Sequence, residues 1–229
     1  MLKWLFKWLI RLAVLAVVLA VVLAVVFFLS LDSVLRLMIE HNIRAQTGLD
    51  AEIGQFHLGL TEPVVEIKNL QLYNPASFGG TPFLNILEIH VEYDRAALAK
   101  HEIHLTLLRF NLGQLDIVKN QAGQTNLFSL GLQLPAKKSA AGGSGQALAD
   151  LKKQTGLDFK GIDVLNVSVG TARYIDLANQ KNNREQNLGI DNLVITNVQT
   201  PADLAGLAVL VALRGGNFFG SLVAPAGIK

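Results

Sequence analysis

Eighteen consecutive residues near the start of the chain, Leu12 to Leu29, read LAVLAVVLAVVLAVVFFL, with no charged or polar side chain among them. Nothing else in the 229 residues restricts folding so strongly. As a helix this run would extend about 27 Å, close to the hydrocarbon thickness of a bilayer. Lys3, Lys7 and Arg11 precede it, and Trp4 and Trp8 fall at interface depth. The basic flank places the N-terminus in the cytoplasm and the remainder outside. A cleaved signal peptide would have a shorter apolar core and a small-x-small step, and VVFFLSLD supplies neither. Residues 1–29 are therefore expected to form a cytoplasmic tail and an uncleaved membrane anchor, with Leu12 and Leu29 at the limits of the span.

Once the anchor is set apart, the charge balance changes sign. The chain has twenty Lys and Arg against eighteen Asp and Glu, and three of the basic residues belong to the anchor. The outer part is thus nearly neutral, which argues against nucleic acid as a partner, since neutralising phosphates needs a basic surface. There is no cysteine, so no disulfide, thiolate cluster or thiol nucleophile can form. Absence of cysteine suits a bacterial periplasm.

Residues 30–48 read as an amphipathic connector helix. Asp32 or Ser33 can cap it, Gly48 can stop it, Val34, Leu35, Met38 and Ile39 form its apolar stripe, and Arg36, Glu40 and Arg44 lie elsewhere. From Asp50 the period becomes two. AEIGQFHLGL, PVVEIKNLQL, FLNILEIHVEY, EIHLTLLRFNL and QLDIVKN alternate apolar and polar residues, as half-buried strands do. The alternation slips phase within single strands: between Val65/Ile67 and Leu70/Leu72, between Leu84/Ile86 and Leu87/Ile89/Val91, and between Ile103/Leu105/Leu107 and Leu108/Phe110/Leu112. Either bulges carry the apolar face across each slip, or the strands are buried on both faces over a short stretch. This first β-module, 49–134, is followed by a Gly/Ser/Ala-rich linker, 135–146, and a second β-module, 147–200. The second module repeats a motif of the first. Ile67-Lys-Asn69-Leu70-Gln-Leu72-Tyr-Asn74 is matched by Ile190-Asp-Asn192-Leu193-Val-Ile195-Thr-Asn197. Residues 201–229 hold an apolar helix, opened by Thr200-Pro201 and closed by Gly215-Gly216, and a tail. The expected fold class is mainly β: a curled, mostly antiparallel sheet with short helices, preceded by one N-terminal transmembrane helix.

No arrangement of residues reads as catalytic. His101 and His104, three apart, would face opposite sides of a strand, and His41, His57 and His90 are isolated in sequence. Asp158, Asp163, Asp176 and Asp191 are scattered through turns and strand edges, with nothing to pair them as acid and base. Ser129 lacks a nucleophile-elbow context, AGGSG lacks the Lys-Ser/Thr that would hold phosphate, and Asn166-Val-Ser is a sequon inside a strand-like run. The expectation is a protein without enzymatic activity, metal or cofactor.

Three features occur in a fixed order: EIKNLQLYNP, then the strand-turn-strand YDRAALAKHEIHL, then GQTNLFSL. Together with the anchor and connector helix, they make residues 1 to about 198 resemble the N-terminal region of AsmA-like proteins of the bacterial envelope. That resemblance implies an inner-membrane protein projecting into the periplasm. The long members look like bridge-like lipid transfer proteins, curled sheets whose apolar groove shields acyl chains. The outer part of this chain is too short for a groove across the periplasm, which leaves tethering, lipid binding or partnership with other envelope proteins open. The residues expected to line a groove are Val65, Ile67, Leu70, Leu72, Ile89, Val91, Ile103, Leu105, Leu107, Leu115 and Ile117. The alternative is a closed β-sandwich serving as a structural or assembly subunit without lipid cargo, since a one-sided apolar sheet hides its face by curling, stacking or binding.

Overall fold

The computed structural model describes residues 31–59, 61–129, 152–153, 155–216 and 218. The expected anchor, with Trp4, Trp8, Leu12 and Leu29, lies outside the described residues, and so does the linker 135–146. Among the described residues no helix is long and apolar enough to cross a membrane.

Helix α1 occupies 31–47. Six strands follow: β1 (Asp50–Leu58), β2 (Val64–Tyr73), β3 (Pro82–Tyr93), β4 (Glu102–Lys119), β5 (Asp158–Asp176) and β6 (Arg184–Val198). Short helices α2 (Arg95–Leu98) and α3 (Asn126–Ser129) lie before and after β4, and α4 (Ala205–Gly215) follows β6. The strands form one sheet in chain order, antiparallel except for the parallel pair β4/β5. The described strands thus build one sheet, not the two facing sheets of a sandwich, and the two expected β-modules share it. QLDIVKN is not a separate strand either. It continues β4 past Gly113, so that β4 runs for 18 residues.

The phase slips line up. Register places Gly54 of β1 beside Asn69 of β2, and Asn69 beside Leu87 of β3. Gly113 of β4 lies against Leu87, and Gly170 of β5 lies beside Gly113. Gly170 faces the stretch of β6 that holds Gly189. One row therefore crosses the whole sheet, and along it the inward face passes from one parity to the other in β1 to β5, while in β6 Leu188 and Ile190 stay in phase across Gly189. Asn69 and Gly189 adopt left-handed backbone angles there, with φ of 54° and 55°. Asparagine tolerates this region because its short amide bonds locally. At Gly170 the reason is a close approach. A Cβ there would lie 2.4 Å from the carbonyl oxygen of Gly113.

Helix α1 differs from its expected orientation. Leu35, Ile39 and Ile43 lie on its covered side, while Val34, Leu37 and Met38 are exposed. Arg36 and Glu40, expected on the surface, turn toward the edge of β1. Glu40 Oε1 accepts from the Ile53 N–H at 2.8 Å, and Arg36 Nη1 donates to the Ile53 carbonyl at 3.4 Å. Asp32 Oδ1 accepts from the Leu58 N–H at 3.1 Å. A free strand edge offers unpaired backbone groups, and a polar row at i, i+4, i+8 satisfies three of them here. Helix α4 covers the other flank with Leu207, Leu210 and Val211, and Leu204 just before it packs there too. Its entry is fixed by Asp203, whose carboxylate accepts from the N–H groups of Gln199 and Thr200.

The sheet's far end is tied by buried polar groups. Asn126 is fully buried, accepts from the Val118 N–H at 3.1 Å, and donates to the Asp116 carbonyl at 2.9 Å and to Asn74 Oδ1 at 2.8 Å. Two of the ordered motifs, LYNP and QTNL, thus meet at one hydrogen bond. Asp116, 1% exposed, takes both prongs of the Arg173 guanidinium across the β4/β5 pair.

Candidate functional site

The inward face of the sheet is apolar from edge to edge, but it is not equally covered. On the α1 side, Ile53, Leu70 and Ile86 are buried, with Ile39 and Ile43 against them. On the α4 side, Ile162, Leu165, Val167, Val169 and Ala172 of β5 are buried, as are Leu188, Ile190 and Val198 of β6. Between these flanks lies β4. Its inward residues Leu105, Leu108, Phe110, Leu112 and Leu115 pack against the core from the side, and none of them is fully buried. On both flanks fully buried residues alternate with partly buried ones such as Ile67, Ile89, Leu193 and Ile195, whereas the inward row of β4 from Leu105 to Leu115 holds no fully buried residue.

The residues expected to line a groove fall mostly on this face. Ile67, Leu70, Leu72 and Ile89 belong to the α1-side cluster. Leu105, Leu115 and Ile117 belong to the larger one, with Ile117 wholly buried. Val65 and Val91 are paired and lie in the same row as Leu108. Ile103 pairs with Phe159 beneath the α4-side core. Leu107 is the exception. It pairs with Glu92, on the side that carries His90 and Arg109. The cause is local: register slips between Glu92 and Tyr93, which leaves exposed Thr106 as an extra residue in β4. Leu105 and Leu107 therefore point to opposite faces despite sharing parity. Sequence reasoning missed Leu108, Phe110 and Leu112 as lining residues, although their alternation is visible, because the slip lies at Thr106 rather than between Leu107 and Leu108.

The outward face is polar and paired. His57, Glu66 and His90 stand in one row across β1, β2 and β3. Glu66, Glu88 and His90 bring ligand atoms within 4.8 Å of one another, a grouping invisible when each is read as isolated. Their charges already have partners: Lys68 Nζ is 2.9 Å from Glu66, and Arg109 Nη1 is 3.2 Å from Glu88. The Lys68 hydrogen bond, helped by the charges of Lys68 and His90, holds the Glu66 carboxyl below the usual carboxylate range. A metal ion would have to displace both cations, so the set fits a cross-strand charge network better than a metal centre. His101 is exposed in a turn. His104 Nε2 lies 2.9 Å from Asp163, which ties β4 to β5. Ser168 Oγ accepts from the Asn192 N–H at 3.0 Å, inside the sequon noted above.

Comparison with protein-family models, with curated proteins and with solved structures gives no match for this chain. The functional reading therefore stands on the geometry and on the resemblance of its motifs.

Proposed function

We propose that the chain is a membrane-anchored periplasmic protein of the AsmA-like kind, held in a bacterial inner membrane by residues 1–29. Its curled sheet shields lipid acyl chains in an apolar trough, in envelope biogenesis or lipid traffic. The observation that carries this reading is the partly buried row Leu105, Leu108, Phe110, Leu112 and Leu115, lying between the fully buried residues that α1 helps to cover at Ile53, Leu70 and Ile86 and those of β5 and β6 on the α4 side. A protein that needed only a core would close the centre first. Covering each such side chain is worth roughly 1 kcal/mol, and an acyl chain provides that cover without asking for polar partners. The row of glycine and left-handed asparagine, present in every strand but β3, supports curling, because such positions add twist and bend to a sheet. The nearly neutral outer part suits a lipid partner better than a nucleic acid.

The test is site-specific photocrosslinking in bacterial cells with the full chain. A photoreactive residue at Leu108 or Phe110 is expected to capture phospholipid, and one at Arg109 or Asn111, on the opposite face, is expected to capture none. Equal yields on both faces, or none at Leu108 and Phe110, would remove the trough.

A further inference from the structure

The two outermost strands leave the sheet in different states. β1 and β6 run in the same direction, because β4/β5 is the one parallel pairing and the other four are antiparallel. On one face of a sheet, L-residues in strands of one direction turn their N–H and C=O groups to the same side. Buried Ile53 of β1 turns both off the sheet, to Glu40 and Arg36. Leu193 and Ile195, inward on β6, turn theirs to the same side, and there that side is β5. The groups that face the free edge of β6 therefore belong to Val194 and Thr196. Both residues are exposed, Val194 by 55%, and neither has a partner on that edge among the described residues.

Natural sheets blunt a free edge with charges, proline, a bulge or a covering element. On β1 the cover is the polar row of α1. On β6, Arg214 Nη1 donates to the carbonyls of Leu188 and Gly189 at 3.2 and 2.8 Å and closes that end. The bulge at Asp191–Asn192 and the left-handed Asn197 bound what remains, and the stretch Leu193-Val194-Ile195-Thr196 between them has no charge and no proline. The charged groups around it are acidic or engaged. Asp191 lies beside the Ser168 hydroxyl at 3.5 Å. Asp203, in the turn after the strand, accepts from the N–H groups of Gln199 and Thr200 and from the Thr200 hydroxyl. Asp163 is bonded to His104, and Lys160 lies between Glu102 and Asp158. Arg184, which has a contact of its own, and Glu185 lie at the other end of β6. The open stretch thus offers no unengaged cation among the described residues to a nucleic acid, an anionic membrane or an acidic peptide, and what fits it is a neutral strand.

We propose that this strand is β6 of a second copy, paired antiparallel about a two-fold axis that passes through Ile195. Val194 of each copy then lies opposite Thr196 of the other. Such directly opposed residues exchange two hydrogen bonds per pair, so the two pairs use every N–H and C=O that Val194 and Thr196 turn outward. Ile195 meets Ile195 on the inward face, where like apolar side chains stabilise a pair, and Asp191 falls toward Gln199 of the other copy rather than toward a carboxylate. The axis stands normal to the sheet, so both inward faces stay on one side. Two six-stranded sheets become one, with the apolar face continuous across the join and α1 covering both outer edges. The pairing does not depend on whether that face takes lipid.

The chain has no cysteine, so a single cysteine reports one position. At the axis, two facing residues of a non-hydrogen-bonded pair stand about 4.5 Å apart between Cα atoms, within disulfide reach. The purified full chain in detergent micelles would be oxidised with copper phenanthroline as Ile195→Cys and, as control, as Lys181→Cys in the far-end turn. Ile195→Cys is expected to give a covalent dimer and Lys181→Cys to stay single. Adding Val194→Pro removes an N–H that faces the free edge and leaves the β5 pairing intact, since an edge strand accepts proline only where its N–H is unpartnered. It is expected to keep the melting temperature and to cut the cross-link by roughly tenfold or more, because two of four hydrogen bonds between the copies are lost. Ile195→Cys that cross-links no better than Lys181→Cys overturns the second copy. A folded Val194→Pro variant that cross-links undiminished overturns the ladder. A Val194→Pro variant that unfolds overturns the free N–H on which the ladder depends.

Discussion

The motif Ile-x-Asn-Leu occurs twice and does the same thing by two routes. In β2 the inward residues are Ile67, then Leu70 and Leu72; in β6 they are Ile190, then Leu193 and Ile195. Both copies change parity at an asparagine in the left-handed region, Asn69 at φ 54° and Asn192 at φ 48°. In the first copy both neighbours change parity at the same level, so the pairings on either side of Asn69 keep one register. In the second copy β5 keeps its parity from Val167 to Val169, and Asp191 with Asn192 oppose the single residue Ser168. The first copy is a switch shared by three strands, and the second is a one-sided bulge. Their ends differ too. Asn74 is buried and held by Asn126, while Asn197, at φ 56°, is exposed. A motif therefore fixes which residues face inward, and its neighbours decide whether that requires an extra residue.

The largest break in this comparison is expected at Gly170, where the row passes from the front strands to β5. A methyl group there meets the Gly113 carbonyl at 2.4 Å, a backbone atom that cannot rotate away. Gly170→Ala is expected to destabilise by about 3 kcal/mol, in the upper range for overpacking. Gly113→Ala should be milder, because its nearest neighbour, 2.9 Å away, is the Leu87 side chain. Denaturant unfolding of the two variants orders them, and equal losses would mean that the close approach at Gly170 relaxes easily.

Next in size is the end of the first copy. Asn126→Ala leaves the Val118 N–H, the Asp116 carbonyl and the Asn74 amide short of a partner in a site closed to water. The expected loss is about 2 kcal/mol, the cost of unsatisfied buried groups. Asn197→Gly, at the exposed end of the second copy, should change stability by less than about 0.5 kcal/mol. The same unfolding curves measure both.

The asparagines themselves sharpen the contrast. Valine tolerates a left-handed backbone poorly, at about 1 kcal/mol, whereas glycine does not resist it. Asn69→Val and Asn192→Val should each lose about that much, and the glycine variants little. If only Asn192→Val is costly, the shared switch relaxes through its neighbours and the bulge does not.

Much of this was legible in the chain. The period of two covered all six strands, although it counted QLDIVKN as a further one, and the slips inside VVEIKNLQLY and its downstream match marked where the inward face changes parity, of which only the second is a bulge. The turn within YDRAALAKHEIHL formed between two strands as read, and the structure shows Asp94 capping it. What could not be read was which residues meet. Leu107 shares parity with Leu105 and still faces the other way, because a bulge at Thr106 intervenes and no residue type marks it. Arg36 and Glu40 looked like an ordinary solvated face and Asp32 like a helix cap, since an edge strand's need for partners appears only once the sheet order is known. Glu66 and His90 are twenty-four positions apart and looked unrelated until β2 and β3 paired. Local pattern carries the face of each strand, and long-range register carries the site.

The smallest expected effect is a pH dependence at the join between the front and back strands. The hydrogen bond from His104 to Asp163, aided by the charges of Asp163 and Asp94, raises the His104 pKa above its ordinary value despite the penalty of partial burial. A raised folded value means that the contact contributes fully below about pH 6.5, where the unfolded imidazole is also protonated. The contribution fades as pH rises through the folded pKa. Asp94 has the opposite sign. The N–H groups of Ala96 and Ala97 depress its pKa, so its contribution is present above the usual aspartate range and is lost on acidification. The melting temperature should therefore fall slightly on the alkaline side through His104 and on the acid side through Asp94. His104→Gln should flatten the alkaline limb and leave the acid limb in place. If that limb survives the substitution, another group carries it, and the join between β4 and β5, whose backbone pairing runs from Glu102 to Lys119, gains nothing from the His104–Asp163 contact.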